Sequence, residues 1–115
     1  MLPLAQKTVR MSNHYRITLY IPSAEEKSEH HIEQAQTGFA SIAGGANRQD
    51  ITGAWVMKNG ALCTEPVALV SSIVGQEALQ TARAFALRYA QEIKASMSQE
   101  TVLVTIDQVA EFLLV

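Results

Sequence analysis

Ile51-Thr52-Gly53-Ala54-Trp55-Val56-Met57, Lys58-Asn59-Gly60 and Ala61-Leu62-Cys63-Thr64-Glu65-Pro66-Val67 decide how this chain folds. Two β-favouring runs flank an Asn-Gly pair, the strongest short-range signal for a hairpin, because a type I′ turn needs positive φ at both central residues. A two-residue turn at Asn59-Gly60 pairs Lys58 with Ala61. Met57 then faces Leu62, Val56 faces Cys63, Trp55 faces Thr64 and Glu65 faces Ala54. Pro66 has no N–H to give a ladder, so it marks a bulge or a free strand edge. Val67 to Val74 is apolar on both faces apart from Ser71 and Ser72. That pattern predicts a central strand covered on two sides.

The flanks supply helices. On the N-terminal side, Tyr15 to Ile21 alternates in period two: Tyr15, Ile17, Leu19 and Ile21 share one face, and Arg16, Thr18 and Tyr20 the other. This is a half-buried strand that Pro22 stops. Ser23 with Glu26 forms a capping-box pattern. Ile32, Ala35, Phe39 and Ile42 then make one helical stripe, closed by Gly44-Gly45. Residues 46–50 read as a loop. On the C-terminal side, Gly75 breaks the chain. Gln76 to Met97 reads as a long helix with Leu79, Ala82, Ala86, Tyr89 and Ile93 buried and Phe85 on its flank. Thr101 to Ile106 is the last strand, Asp107-Gln108 a turn, and Val109 to Val115 an apolar tail. The order is strand, helix, strand, strand, helix, strand. It predicts an α+β, ferredoxin-like βαββαβ domain, an antiparallel sheet with two helices on one face. We place this domain over residues 13–115. Residues 1–12 read as a flexible N-terminal arm, and Met11-Ser12-Asn13 as an alternative start that would make residues 1–10 an extension.

Composition bounds the partners. The chain has 115 residues, enough to bury roughly 65% of the surface of the unfolded chain. Only 17% of its residues are charged, against about 25% in an average domain. The missing charge comes off the surface, which predicts that a second chain covers part of it. The apolar hairpin and the Phe112-Leu113-Leu114-Val115 tail point the same way, to a homodimer packed sheet on sheet or through a swapped tail. Net charge is −2 and the nine Lys and Arg residues are scattered, so no nucleic-acid partner is expected. No apolar stretch is long enough for a bilayer, so no membrane partner is expected either. Cys63 is the lone cysteine; it forms no internal disulfide and suits a reducing, cytoplasmic compartment.

Few residues carry chemistry. His30 and His31 are neighbours on a helix and point about 100° apart, so they do not readily chelate one metal, and they read as a solvated face. Cys63 lies in a strand with no base beside it and reads as a structural thiol. Gly44-Gly45-Ala46-Asn47-Arg48 follows a helix instead of opening one, so it is a cap and not a phosphate cradle. No cofactor and no metal are expected. Glu65 stands out as a carboxylate in an otherwise apolar strand, one step from Trp55. Its desolvation must be offset by a cation or a ligand. Trp55, Glu65, Tyr20 and Arg16 are therefore the candidate ligand-binding residues.

Gly53-Ala54-Trp55, Asn59-Gly60, Glu65-Pro66, Tyr89 and Gln99-Glu100-Thr101-Val102-Leu103 resemble an uncharacterised family of small bacterial domains. In that family a Trp strand, a glycine turn and a Glu strand precede a helix and a Gln-x-Ser/Thr-Val-Leu strand. The resemblance covers the C-terminal half. It implies the ferredoxin-like order and singles out Trp55, Glu65 and Gln99, without implying a reaction. The expectation is thus a small dimeric binding or association module for a small ligand or protein partner. The alternative is a cofactor-free enzyme of the dimeric α+β barrel type with the sheet face as its pocket. RNA binding through the sheet would want exposed aromatics and basic loops that Tyr20 and Trp55 do not supply.

Overall fold

A computed structural model describes residues 9–11 and 13–115. The elements run β1 (Val9–Met11), β2 (His14–Pro22), α1 (Ser28–Ala43), β3 (Asn47–Val56), β4 (Leu62–Gly75), α2 (Gln76–Ser96), β5 (Val104–Val109) and β6 (Phe112–Leu114). The main sheet is antiparallel with strand order β3-β4-β2-β5. This is the ferredoxin-like arrangement, with α1 and α2 packed on one face.

Period-two alternation places the core. Ile17, Leu19 and Ile21 of β2 turn to the helices and are fully buried, as are Ala68 and Val70 of β4. Ile32, Ala35 and Phe39 of α1 and Ala82, Ala86 and Ile93 of α2 close over them. Leu79, Phe85 and Ile42 pack at the margin, half-buried. The Phe85 ring lies over Gly38, where a Cβ would collide with it, so the glycine is what lets the two helices approach. Two buried hydroxyls are spent on loops: Ser72 donates to the Gly45 carbonyl at 2.5 Å and Ser28 to the Pro22 carbonyl at 2.6 Å.

The structure corrects several local expectations. The hairpin register is shifted by one residue: Val56 faces Leu62, Trp55 faces Cys63, Ala54 faces Thr64 and Gly53 faces Glu65. The reason lies in the turn. Gly60 has φ +86°, whereas Asn59 is not among the positive-φ residues, so a type I′ turn is excluded. Met57 N–H donates to the Ala61 carbonyl at 2.8 Å and Gly60 N–H to the Met57 carbonyl at 2.9 Å. The loop is therefore three residues with a left-handed glycine closing it, the next commonest hairpin solution. Pro66 stays in register opposite Thr52, without a bulge. Its carbonyl accepts from Ser23 N–H at 3.0 Å, so its nitrogen also points toward the β2 side. β2 ends there, and the missing donor costs no ladder bond.

Helix α1 begins at Ser28 and not after Ser23; the residue before it, Lys27, makes no side-chain cap. Ser28 ties the preceding loop instead, its hydroxyl accepting from Glu25 N–H at 3.0 Å. At the other end Gly44, φ +87°, caps the helix with its N–H on the Ala40 carbonyl. Residues 47–50, expected as loop, belong to β3 because β4 is long enough to pair with them as far as Ser71. Thr101 to Leu103, expected as the start of a strand, precedes β5, and Asp107-Gln108, expected as a turn, pairs within β5 with Arg16 and Tyr15. β4 is central, but only its helix-side residues are buried; Val67, Leu69, Ser71 and Ile73 are half-exposed on the open face. β6 pairs with β1 of the same chain, Val9 facing Leu114 and Met11 facing Phe112, and the Phe112 ring stacks on His14 at 4.6 Å. The remainder of segment 1–12 lies outside the described residues.

Candidate functional site

Four strands define the open face through their register. On β2 it carries Arg16, Thr18, Tyr20 and Pro22; on β4, Ile73, Ser71, Leu69, Val67, Glu65 and Cys63. Ile51, Gly53 and Trp55 continue it on β3, and Thr105 and Asp107 on β5. Tyr20 is paired with Leu69 and Pro22 with Val67. Glu65 is two residues further along β4, just past the end of β2, with the side-chain-free Gly53 opposite it. The segment between α2 and β5 crosses here, held by Tyr20 N–H donating to the Leu103 carbonyl at 3.1 Å. The result is a cleft of about 190 Å³ whose lining includes Tyr20, Glu65, Gln99, Val67 and Leu103.

Of the four candidates read from the sequence, Tyr20 and Glu65 share this cleft, and Gln99 joins them. Trp55 is outside the cleft. The one-residue shift puts it on the same face as Glu65, on the diagonal across the Gly53–Glu65 and Trp55–Cys63 pairs. Arg16 is at the other end of β2, paired with Asp107 and Ile73, and is exposed. Gln99 is positioned by a tight reversal after α2, with Ser98 at φ +52°. Its backbone N–H donates to the Lys94 carbonyl at 3.0 Å and its side-chain nitrogen to the Met97 carbonyl at 3.2 Å.

A second polar cluster was not legible in the sequence. His30 is exposed, as expected of a solvated face, but His31 is not: it is 7% exposed, between the helices. Its Nδ1 is 2.8 Å from the Tyr89 hydroxyl and its Nε2 2.9 Å from the Ser96 hydroxyl. Burial, with the nearby charges of His30 and Lys27, holds its pKa below the ordinary histidine value, against a smaller opposing pull from Glu92. Tyr89 is pushed up to about 12, by burial first and then by Glu92. The only available signal was the i, i+4 spacing of His31 from the buried Ala35, which places both on the core side of α1. Arg48, expected in a loop, forks onto both Glu29 carboxylate oxygens at 2.9 Å and reaches Asp50 at 3.1 Å. It ties α1 to β3, and its hydrogen bond and charge hold the Glu29 pKa below the usual carboxylate value. Among the described residues no three His, Cys, Asp or Glu side chains gather as a metal set, and no helix is long and apolar enough to cross a membrane.

No family model matches the chain, and no curated protein matches it. Solved structures do. A phage SAM lyase in complex with S-methyl-5'-thioadenosine superposes with a TM-score of 0.59 at 13% identity, covering 90% of each chain. CutA from Synechococcus elongatus PCC7942 gives 0.57 at 14% identity, over 90% of this chain and 85% of that one. The periplasmic divalent cation tolerance protein CutA from Archaeoglobus fulgidus gives 0.53 at 18% identity, over 84% of both. At these identities the likeness is one of fold.

Proposed function

We propose that this protein is a self-associating binding module, in which the arm formed by the far ends of β3 and β4 joins copies of the chain. The observation that carries this reading is the exposure of that arm. β4 spans 14 residues, about 45 Å of strand, and its far end runs past the helices. There the apolar side chains stand in water on both faces: Val56 and Leu62 are each 69% exposed on the helix side, and Trp55 45% exposed on the other. β3 is also an edge strand, and Ile51 to Val56 contains no charge and no proline, the devices that normally blunt an edge. A second copy of the same chain satisfies the apolar arm and the free edge together. The low charge fraction of the sequence supports the same occupant.

Light scattering at micromolar concentration tests it. The expected mass is at least twice the 12.6 kDa chain, and the paired substitution Val56→Lys with Leu62→Lys is expected to return it to the monomer with the circular dichroism unchanged. A monomeric wild-type protein removes this reading. A second reading, a small cofactor-free enzyme with the open sheet face as its pocket, has one observation in its favour: Glu65 and Tyr20 share a cleft, as a base and a hydrogen-bonding partner would.

A further inference from the structure

The geometry points to a binding site for a small organic ammonium ion in the cleft between Tyr20, Glu65 and Gln99. The inference deepens the binding-module reading by assigning it a ligand class. Three observations carry it. First, the polar groups facing the cleft accept hydrogen bonds. The Gln99 side-chain nitrogen is committed to the Met97 carbonyl; because a carbonyl can only accept, this fixes which end of the amide is held and leaves the oxygen as the free end. The Glu65 carboxylate is an acceptor, and the Tyr20 phenol adds an oxygen and a ring face.

Second, these groups are not spent on the protein. Among the described residues neither the Glu65 carboxylate nor the Tyr20 hydroxyl forms a hydrogen bond or an ion pair, and no Lys, Arg or His lines the cleft. Glu65 is nevertheless half-buried among Pro22, Val67 and Leu103. Its oxygens still reach water, so an arriving cation exchanges solvent for a half-buried carboxylate that no protein cation holds.

Third, the walls choose among cations. A calcium site asks for six to eight oxygen ligands, more than one carboxylate, one amide and one phenol supply, and among the described residues no three His, Cys, Asp or Glu gather here. An alkylammonium needs an acceptor for its head, an aromatic face within cation–π reach and apolar walls for its chain. Glu65 with Gln99, Tyr20, and Val67 with Leu103 provide these in turn. A volume of about 190 Å³ lies below the range of drug-sized pockets, about 300–1,000 Å³, which restricts the ligand to a short chain. Anions are repelled by Glu65.

The test titrates the wild-type protein with n-butylammonium, and separately with butyrate as the anion of matched chain length, following Gln99 side-chain and Tyr20 resonances by NMR. Saturable shifts at both residues with butylammonium, and none with butyrate, are expected. Glu65→Gln, nearly isosteric, should weaken butylammonium binding at least ~10-fold, the order of one charge-assisted hydrogen bond, with the thermal midpoint kept. Tyr20→Phe should weaken it less. Equal response to butyrate, undiminished binding by Glu65→Gln, or no shift with butylammonium each overturns the proposal. The mass of the same samples is read in parallel: a monomer that binds butylammonium refutes self-association and leaves this site standing, and an oligomer that does not bind refutes only the site.

Discussion

Strand β4 passes through two environments. From Ala68 to Val74 its helix-side residues, Ala68, Val70, Ser72 and Val74, are almost wholly buried. From Leu62 to Pro66 the same side of the same strand carries Leu62, Thr64 and Pro66, all exposed. Pairing with β3 runs unbroken from Leu62 to Ser71, but only from Val67 onward does β4 also pair with β2. The difference is the reach of β2 and of the two helices, α1 and α2, that cover it. A strand acquires a buried face only where a second layer covers it, and the arm is a sheet that lacks its second layer. What the core gains from its own helices, the arm can gain only from another molecule.

The largest expected effect sets the two halves against each other. Phe39→Ala removes a fully buried ring from beneath α2 and should cost about 3–5 kcal/mol in urea unfolding. Val56→Ala, on the arm, should cost the isolated chain under about 0.5 kcal/mol, and should act on the mass in solution instead. Comparable losses of monomer stability from both would mean that the arm is packed within its own chain.

A smaller effect is expected at the arm's tip. Gly60 holds φ +86°, which a β-branched residue resists, so Gly60→Val should cost about 1–2 kcal/mol of hairpin. If arm and core unfold as one, the global midpoint moves by that amount. If it does not move while amide exchange in Trp55 to Cys63 accelerates, the arm opens separately from the helix-covered half.

The smallest effect belongs to the core. His31 is held neutral by burial, its folded pKa below the ordinary value. The unfolded chain therefore takes up the proton first as pH falls, and stability follows the excess of protons bound in the unfolded state. The contribution of His31 is fully present above its unfolded pKa of about 6.5 and is lost as pH falls from there toward the folded pKa. Urea midpoints between pH 8 and pH 5 should show this decline, and His31→Gln should flatten that part of the profile. An equally steep profile in the variant would assign it to the carboxylates.

Both helices, β2 and the existence of the hairpin were legible because each rests on local periodicity: Ile32, Ala35 and Phe39 fall on one side of α1 wherever the helix is placed. Boundaries set by distant partners were not legible. Asn47 to Asp50 looks like a loop until β4 is seen to extend beside it, and Asp107-Gln108 looks like a turn until β2 pairs with it. Asn59-Gly60 is compatible with two turn geometries, and only the backbone angle of Asn59 separates them, at the cost of one residue of register. For the candidate site the sequence singled out Tyr20, Glu65 and Gln99 by residue type and motif, one by one. It could not unite them, nor detach Trp55 and Arg16 from them. They are 45 residues apart from Tyr20 to Glu65 and 34 more to Gln99, and they meet only where β2 ends and the crossing into β5 begins. The chain by itself determined which segments become helix and strand, because those choices are made by side-chain periodicity within a few residues. Only the tertiary structure decided which faces are covered, where the arm emerges and which acceptors share a cleft, because these depend on where elements far apart in sequence stop alongside one another.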